Sequence, residues 1–124
     1  MSAQKILVAE DNKLVLETVA FRLQKEGYEV VKAIDGKECW EFLEQNQFDL
    51  LITDLFMPFL SGHEIIAAVR NDLKSNLPIL VLSAAGAEET VLKAFELGAD
   101  DYMIKPFSIS ELSIRVKKIM AQRK

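Results

Sequence analysis

A single cysteine, Cys39, stands in this chain of 124 residues, so no internal disulfide can form. A reducing cytoplasm is the compartment this predicts. Cys39 lies beside Trp40 in a helical pattern, where a small packed hydrophobe is expected rather than a redox thiol. Long apolar runs are lacking too. None approaches the roughly 18 residues that a membrane helix needs, and the first residues carry no signal-peptide core. Neither a membrane span nor export is expected. Positive charge is in deficit, with 15 Lys and Arg against 19 Asp and Glu and a formal net charge of -4, which argues against nucleic acid as a direct ligand. No G-x-G-x-x-G follows an apolar run, so the usual dinucleotide fingerprint is absent. No repeat, low-complexity segment or linker interrupts the chain, and its length fits one domain over residues 1–124.

Five short apolar runs alternate with five stretches of helical periodicity. The runs are Ile6–Ala9, Glu29–Ala33, Asp49–Thr53, Ile79–Ser83 and Asp101–Ile104. In Leu50-Leu51-Ile52 and Ile79-Leu80-Val81-Leu82 the apolar residues are successive, as a parallel strand covered on both faces requires. Leu16, Val19, Ala20 and Leu23 mark the first helix, which Gly27 closes in a left-handed cap. Asp35-Gly36 opens the second, with Cys39, Trp40 and Leu43 as its buried positions. Ile65, Ile66 and Val69 mark the third, and Val91, Ala94 and Phe95 a fourth that ends at Gly98. Ser108 and Glu111 form a capping-box pattern before the fifth, which runs through Leu112, Val116 and Ile119. This alternation predicts an α/β, three-layer (βα)₅ domain with right-handed crossovers. Its ligands belong at the carboxyl ends of the strands.

Five polar residues fall at those ends: Glu10 and Asp11 after the first strand, Asp54 after the third, Ser83 ending the fourth, and Lys105 after the fifth. Three carboxylates in one crevice need a cation, and so small an oxygen-donor set suits Mg²⁺, for which Mn²⁺ can substitute. Lys105 and Ser83 suit the oxygens of a phosphoryl group. Asp54 can then attack phosphorus to give an acyl phosphate, with metal and lysine supplying positioning and charge neutralisation.

These residues resemble the receiver domain of bacterial two-component response regulators. The match lies in Val8-Ala9-Glu10-Asp11-Asn12, Asp54-Leu55-Phe56-Met57-Pro58 with Gly62, Ser83-Ala84 and Lys105-Pro106-Phe107. The resemblance implies a flavodoxin-like five-stranded parallel sheet of order 2-1-3-4-5. It implies Asp54 as phosphoacceptor, Glu10, Asp11 and the Phe56 backbone carbonyl as further Mg²⁺ ligands, and a cis peptide at Pro106. Ser83 and Tyr102 would be the switch pair, the ring turning inward as Ser83 shifts. The surface switched spans about residues 87–119, with a coupling of about 1–3 kcal/mol. A sensor histidine kinase or histidine phosphotransfer protein would be the donor, docking near Leu14 and Val15. A downstream effector would read the 87–119 surface, which could also carry a phosphorylation-dependent homodimer. Such a chain is a stand-alone receiver or the first part of a longer regulator, and not a turnover enzyme: it catalyses only its own phosphorylation and dephosphorylation. Phe56 and Ala85, two residues after Asp54 and Ser83, cannot orient a hydrolytic water by side-chain hydrogen bonds, which predicts slow self-dephosphorylation.

Plainer readings stand beside these. Glu10-Asp11-Asn12 also reads as a cap cluster for the first helix, and Tyr102 as an edge-strand residue. Ser61 is left to cap the third helix, and His63 just inside it is expected to be solvent-exposed and without a role. The basic residues Arg115, Lys117, Lys118, Arg123 and Lys124 read as a solvated face that favours the helix dipole. Flavin binding on such a fold wants a hydroxyl- and glycine-rich first loop, where Glu10-Asp11-Asn12-Lys13 has the wrong charge. A phosphatase resembling the haloacid dehalogenases wants an acid where Phe56 stands. A receiver that only docks partners would lack one of the five polar residues.

Overall fold

In the computed structural model, which describes residues 3–122, the alternating pattern becomes five strands and five helices. They are β1 (Lys5–Ala9), α1 (Lys13–Lys25), β2 (Glu29–Ala33), α2 (Gly36–Gln45), β3 (Leu50–Thr53), α3 (Gly62–Asn71), β4 (Ile79–Ser83), α4 (Glu88–Leu97), β5 (Asp101–Ile104) and α5 (Ile109–Gln122). The strands form one parallel sheet in the order β2-β1-β3-β4-β5, the expected flavodoxin-like arrangement. Every residue of β3 and β4 is buried, because both faces of these strands are covered by helices.

Alternate side chains feed two separate cores. Leu7, Ala9, Leu51, Ile79 and Val81 pack with Cys39 and Leu43 of α2, Ile65, Ile66 and Val69 of α3 and Ala94 of α4. Ile6, Val8, Leu50, Ile52, Leu80 and Leu82 pack with Leu16, Val19 and Leu23 of α1 and Leu112, Val116 and Met120 of α5. Each such Leu, Ile or Val withdrawn from water contributes about 1.5–3 kcal/mol before the entropy of ordering is charged against it. Burial pushes the Cys39 thiol up to about 12, so it is a packing group and not a reactive one.

Helix ends largely follow their local signals. Asn12 caps α1 by accepting from Val15 N at 3.1 Å, and Asp35 caps α2 by accepting from Glu38 N at 2.8 Å. Ser61 and Glu64 make a full capping box on α3. Gly27 and Gly98 close α1 and α4 with φ of +99° and +121°, which favour glycine. Four expectations need correcting. At α5 only one capping-box bond forms, Glu111 N to Ser108 Oγ at 3.3 Å, because the Glu111 carboxylate turns to Arg115 instead. Phe95 is exposed rather than core, and Met120 rather than Ile119 completes the buried stripe of α5. His63 is only half-buried, not solvent-exposed, and its Nε2 is enclosed without a hydrogen-bond partner among the described residues. Arg123 and Lys124, two of the basic residues at the chain end, lie outside the described residues.

Candidate functional site

The hydrogen-bond ladder of the sheet runs straight into the polar residues at its carboxyl edge. Glu10 N donates to Ala33 O at 3.0 Å, Asp54 N to Ala9 O at 3.0 Å, and Lys105 N to Ser83 O at 2.8 Å. Backbone pairing thus sets where these side chains start before they make any contact of their own. The Lys105–Pro106 peptide is cis.

Lys105 Nζ bridges two carboxylates, Glu10 Oε1 at 2.5 Å and Asp54 Oδ2 at 3.0 Å. The other Asp54 oxygen, Oδ1, accepts from Leu55 N at 2.6 Å and, more weakly, from Phe56 N at 3.4 Å. Asp11 is exposed, yet its carboxylate can come within 4.8 Å of those of Glu10 and Asp54. Three carboxylates therefore face one ammonium. Burial raises the Glu10 carboxyl above its ordinary value, against the opposing pull of Lys105 and the Asn12 amide. Burial also works against the Lys105 charge, but its bonds to Glu10 and Asp54 prevail and hold the ammonium above its usual range. The cluster after β1 divides its labour: Asn12 caps α1, while Glu10 and Asp11 turn to the site.

Ser83 is fully buried, and its Oγ accepts from Ala85 N at 3.2 Å. The Tyr102 hydroxyl donates to the carbonyl of that same Ala85 at 2.6 Å. Tyr102 is 9% exposed, so it is not a surface residue, and in this structure its side chain lies inside. Burial raises its phenol above the ordinary value, with the Ser83 hydroxyl opposing.

The loop from β3 to α3 passes beside Asp54 under tight backbone constraint. Gly36 N donates to Pro58 O at 3.1 Å and Gly62 N to Leu55 O at 2.9 Å. A Cβ on Gly36 would enter the backbone of Leu60, and one on Gly62 the Asp54 carbonyl. Phe59 sits at φ +74° with an exposed ring, and Phe56 is 61% exposed. One partner has no signal in the sequence: Ala85, which serves as a backbone hub. Ala85 could not be seen because its contribution is a carbonyl and an amide, which every residue has.

Comparison with known proteins agrees with this geometry. Residues 6–117 match the family described as Response regulator receiver domain. The chain belongs to that family. It is 39% identical over 117 residues to the alkaline phosphatase synthesis transcriptional regulatory protein PhoP of Bacillus subtilis, covering 94% of this chain. The receiver spans about half (48%) of that regulator's length. Among solved structures, the receiver domain of the Francisella response regulator 1452 superimposes with a TM-score of 0.90 at 34% identity, covering 96% of this chain and 98% of that one. The Thermotoga maritima response regulator TrrA, in complex with Mg²⁺ and beryllium fluoride, gives 0.83 at 34% identity, covering 94% and 98%. The acidic cluster of Glu10, Asp11 and Asp54 agrees with a receiver that takes part in two-component phosphoryl signalling. Among the described residues no helix is long and apolar enough to cross a membrane.

Proposed function

We propose that Asp54 is the phosphoacceptor of this receiver. The observation that carries the reading is one nearly buried carboxylate held by Lys105 on one oxygen and by backbone amides on the other, beside two further acids. Its amide bonds orient the carboxylate, so little rotational freedom is lost at the moment of attack. A carboxylate oxygen forms the O–P bond while the P–N bond to a donor imidazole breaks, the electron pair leaving on the ring nitrogen. Lys105 stays paired with the phosphoryl oxygens, and its neighbours keep it protonated for that role.

The excess of carboxylates over the single ammonium fits a divalent cation, and the all-oxygen donors fit Mg²⁺, with Mn²⁺ as a substitute. Glu10, Asp11, Asp54 and the Phe56 carbonyl would hold it. When bound, the ion offsets the charge of the carboxylates and of the transferring phosphoryl group. The Thermotoga relative's complex with Mg²⁺ and beryllium fluoride supports this reading.

Ser83 Oγ leaves Ala85 N to bond the phosphoryl oxygens, and the Ala85 loop shifts with it. Because Tyr102 holds the Ala85 carbonyl, the shift reaches the surface of α4, β5 and α5 without a ring rotation. That surface serves a downstream effector or a phosphorylation-dependent second copy. The donor is a sensor histidine kinase or histidine phosphotransfer protein in the cytoplasm, docking at the start of α1, where Leu14 is 77% exposed. The single receiver domain catalyses only its own phosphorylation and dephosphorylation, with no other substrate turned over.

Intact mass after acetyl phosphate and Mg²⁺ tests the assignment. Wild type gains ~80 Da, one phosphoryl group, and Asp54→Asn gains nothing. No gain in wild type despite demonstrated Mg²⁺ binding would leave a receiver that only docks partners. Phe56 and Ala85 offer no side-chain hydrogen bond to a hydrolytic water, so the acyl phosphate is expected to be long-lived. A half-life of seconds in Mg²⁺ would contradict that.

A further inference from the structure

We infer that α4 works as a lever whose fulcrum is its carboxyl end, fixed by Arg70. The two ends of this helix are built differently. At the far end the Arg70 guanidinium, reaching from α3, donates to Gly98 O through both Nε (3.2 Å) and Nη2 (2.7 Å). It also donates to Ser75 O at 2.9 Å, Leu77 O at 2.7 Å and Asp100 Oδ2 at 3.1 Å. Asp100 Oδ2 in turn accepts from Ile79 N at 2.8 Å, the first residue of β4. Gly98 is the C-cap of α4, and a Cβ there would lie 2.7 Å from Arg70 Nε. One planar cation therefore bolts the end of α4 to α3 and to the start of β4, and a fork of fixed geometry resists sliding.

The near end has none of this. The segment from β4 to α4 reads Ala84-Ala85-Gly86-Ala87, with no side-chain donor or acceptor. The N-cap Ala87 makes no side-chain cap bond, and Ala94 is the only buried residue of α4 among those described. What connects this end to the site is backbone, through Ala85 to Ser83 Oγ and to the Tyr102 hydroxyl. Phe95, on the half nearer Gly98, rests near the Tyr102 ring, with centroids 6.5 Å apart. A ten-residue helix is about 15 Å long, so a shift of ~2 Å at Glu88 tilts it by roughly 8° with Gly98 at rest. Leu92, 52% exposed, rides on the moving half. The inference rests on the proposed phosphorylation only for what drives the lever, not for where it is pinned.

Amide hydrogen exchange on the whole chain tests it, first without any additive. Amides of Leu97–Ala99 are expected to exchange at least ~10-fold more slowly than those of Val91–Lys93, both sets lying beyond the helix's unpaired first amides. In Arg70→Met the difference should fall to less than ~3-fold, while protection in β1 and β3 is retained. Should Arg70→Met fail to fold, Arg70→Lys, which keeps the charge but not the fork, should show a partial loss. Equal protection of both halves in wild type overturns the fulcrum outright. Beryllofluoride with Mg²⁺ forms the second arm. Amide shifts should spread over residues 84–94 and fade by 97–100. Shifts of equal size at both ends would mean that α4 moves as a whole, and the lever is wrong. No shift anywhere, including next to Asp54, would count against the phosphorylation reading, leaving the fulcrum to be decided by exchange alone.

Discussion

The two edges of the sheet handle charge in opposite ways. At the amino edge ions are tied into hydrogen-bonded networks: Arg70 spends its donors on three backbone carbonyls and Asp100, and Glu26 takes bonds from Ser113 Oγ and Arg22 Nε. At the carboxyl edge Lys105 is outnumbered three to one by Glu10, Asp11 and Asp54. A satisfied network resists rearrangement, because any shift strands a polar group away from water. An unbalanced cluster does the reverse and lowers its energy when positive charge arrives. One edge is therefore an anchor and the other a receptor, within a single small sheet.

Substitutions at the two edges should differ accordingly. The largest effect is expected at the anchor. Arg70→Met removes the guanidinium donors of three carbonyls, leaves Asp100 Oδ2 with only the Ile79 amide, and should cost about 2–3 kcal/mol in urea unfolding, with phosphorylation by acetyl phosphate still occurring. A loss smaller than that of Tyr102→Phe would erase the distinction between the edges. Next comes the tie between α1 and α5. Ser113→Ala should cost about 1–2 kcal/mol at neutral pH. The bonds from Ser113, then Arg22, hold the Glu26 carboxyl below its ordinary value of 4.5. Its stabilisation is therefore complete above that value and is lost as pH falls below it. The gap between wild type and Ser113→Ala should narrow between pH 5 and pH 3, an interval around that ordinary value, and a gap constant with pH would show that Glu26 is not the partner that matters. The smallest effect is expected at the receptor edge, where Tyr102→Phe removes one hydrogen bond to Ala85 O and should cost about 1 kcal/mol or less. Its larger consequence should be in signalling. Beryllofluoride should still shift amides around Asp54, while shifts in α4 weaken, and undiminished α4 shifts would take Tyr102 out of the relay.

Much of this was legible in the chain itself. Successive apolar residues in Leu50–Ile52 and Ile79–Leu82 demand a sheet covered on both faces, and alternation with helical stripes leaves little but a parallel three-layer fold. Glu10, Asp11, Asp54, Ser83 and Lys105 could be placed at one edge for the same reason: each stands where a strand runs out. Side-chain chemistry at fixed points of a periodic pattern is carried by sequence, since period and residue type are both local properties. The folded structure decided what depends on backbone groups brought together from afar. Arg70 looks like any surface arginine until Gly98, Ser75 and Leu77 present their carbonyls to it. Ser113 looks like a polar interruption of α5 until Glu26 arrives from the end of α1. The inward seat of Tyr102 follows from the Ala85 carbonyl, and the exposure of Phe95 from how little of α4 is buried. Carbonyls and amides are the same at every residue, so only their arrangement in space could single these out.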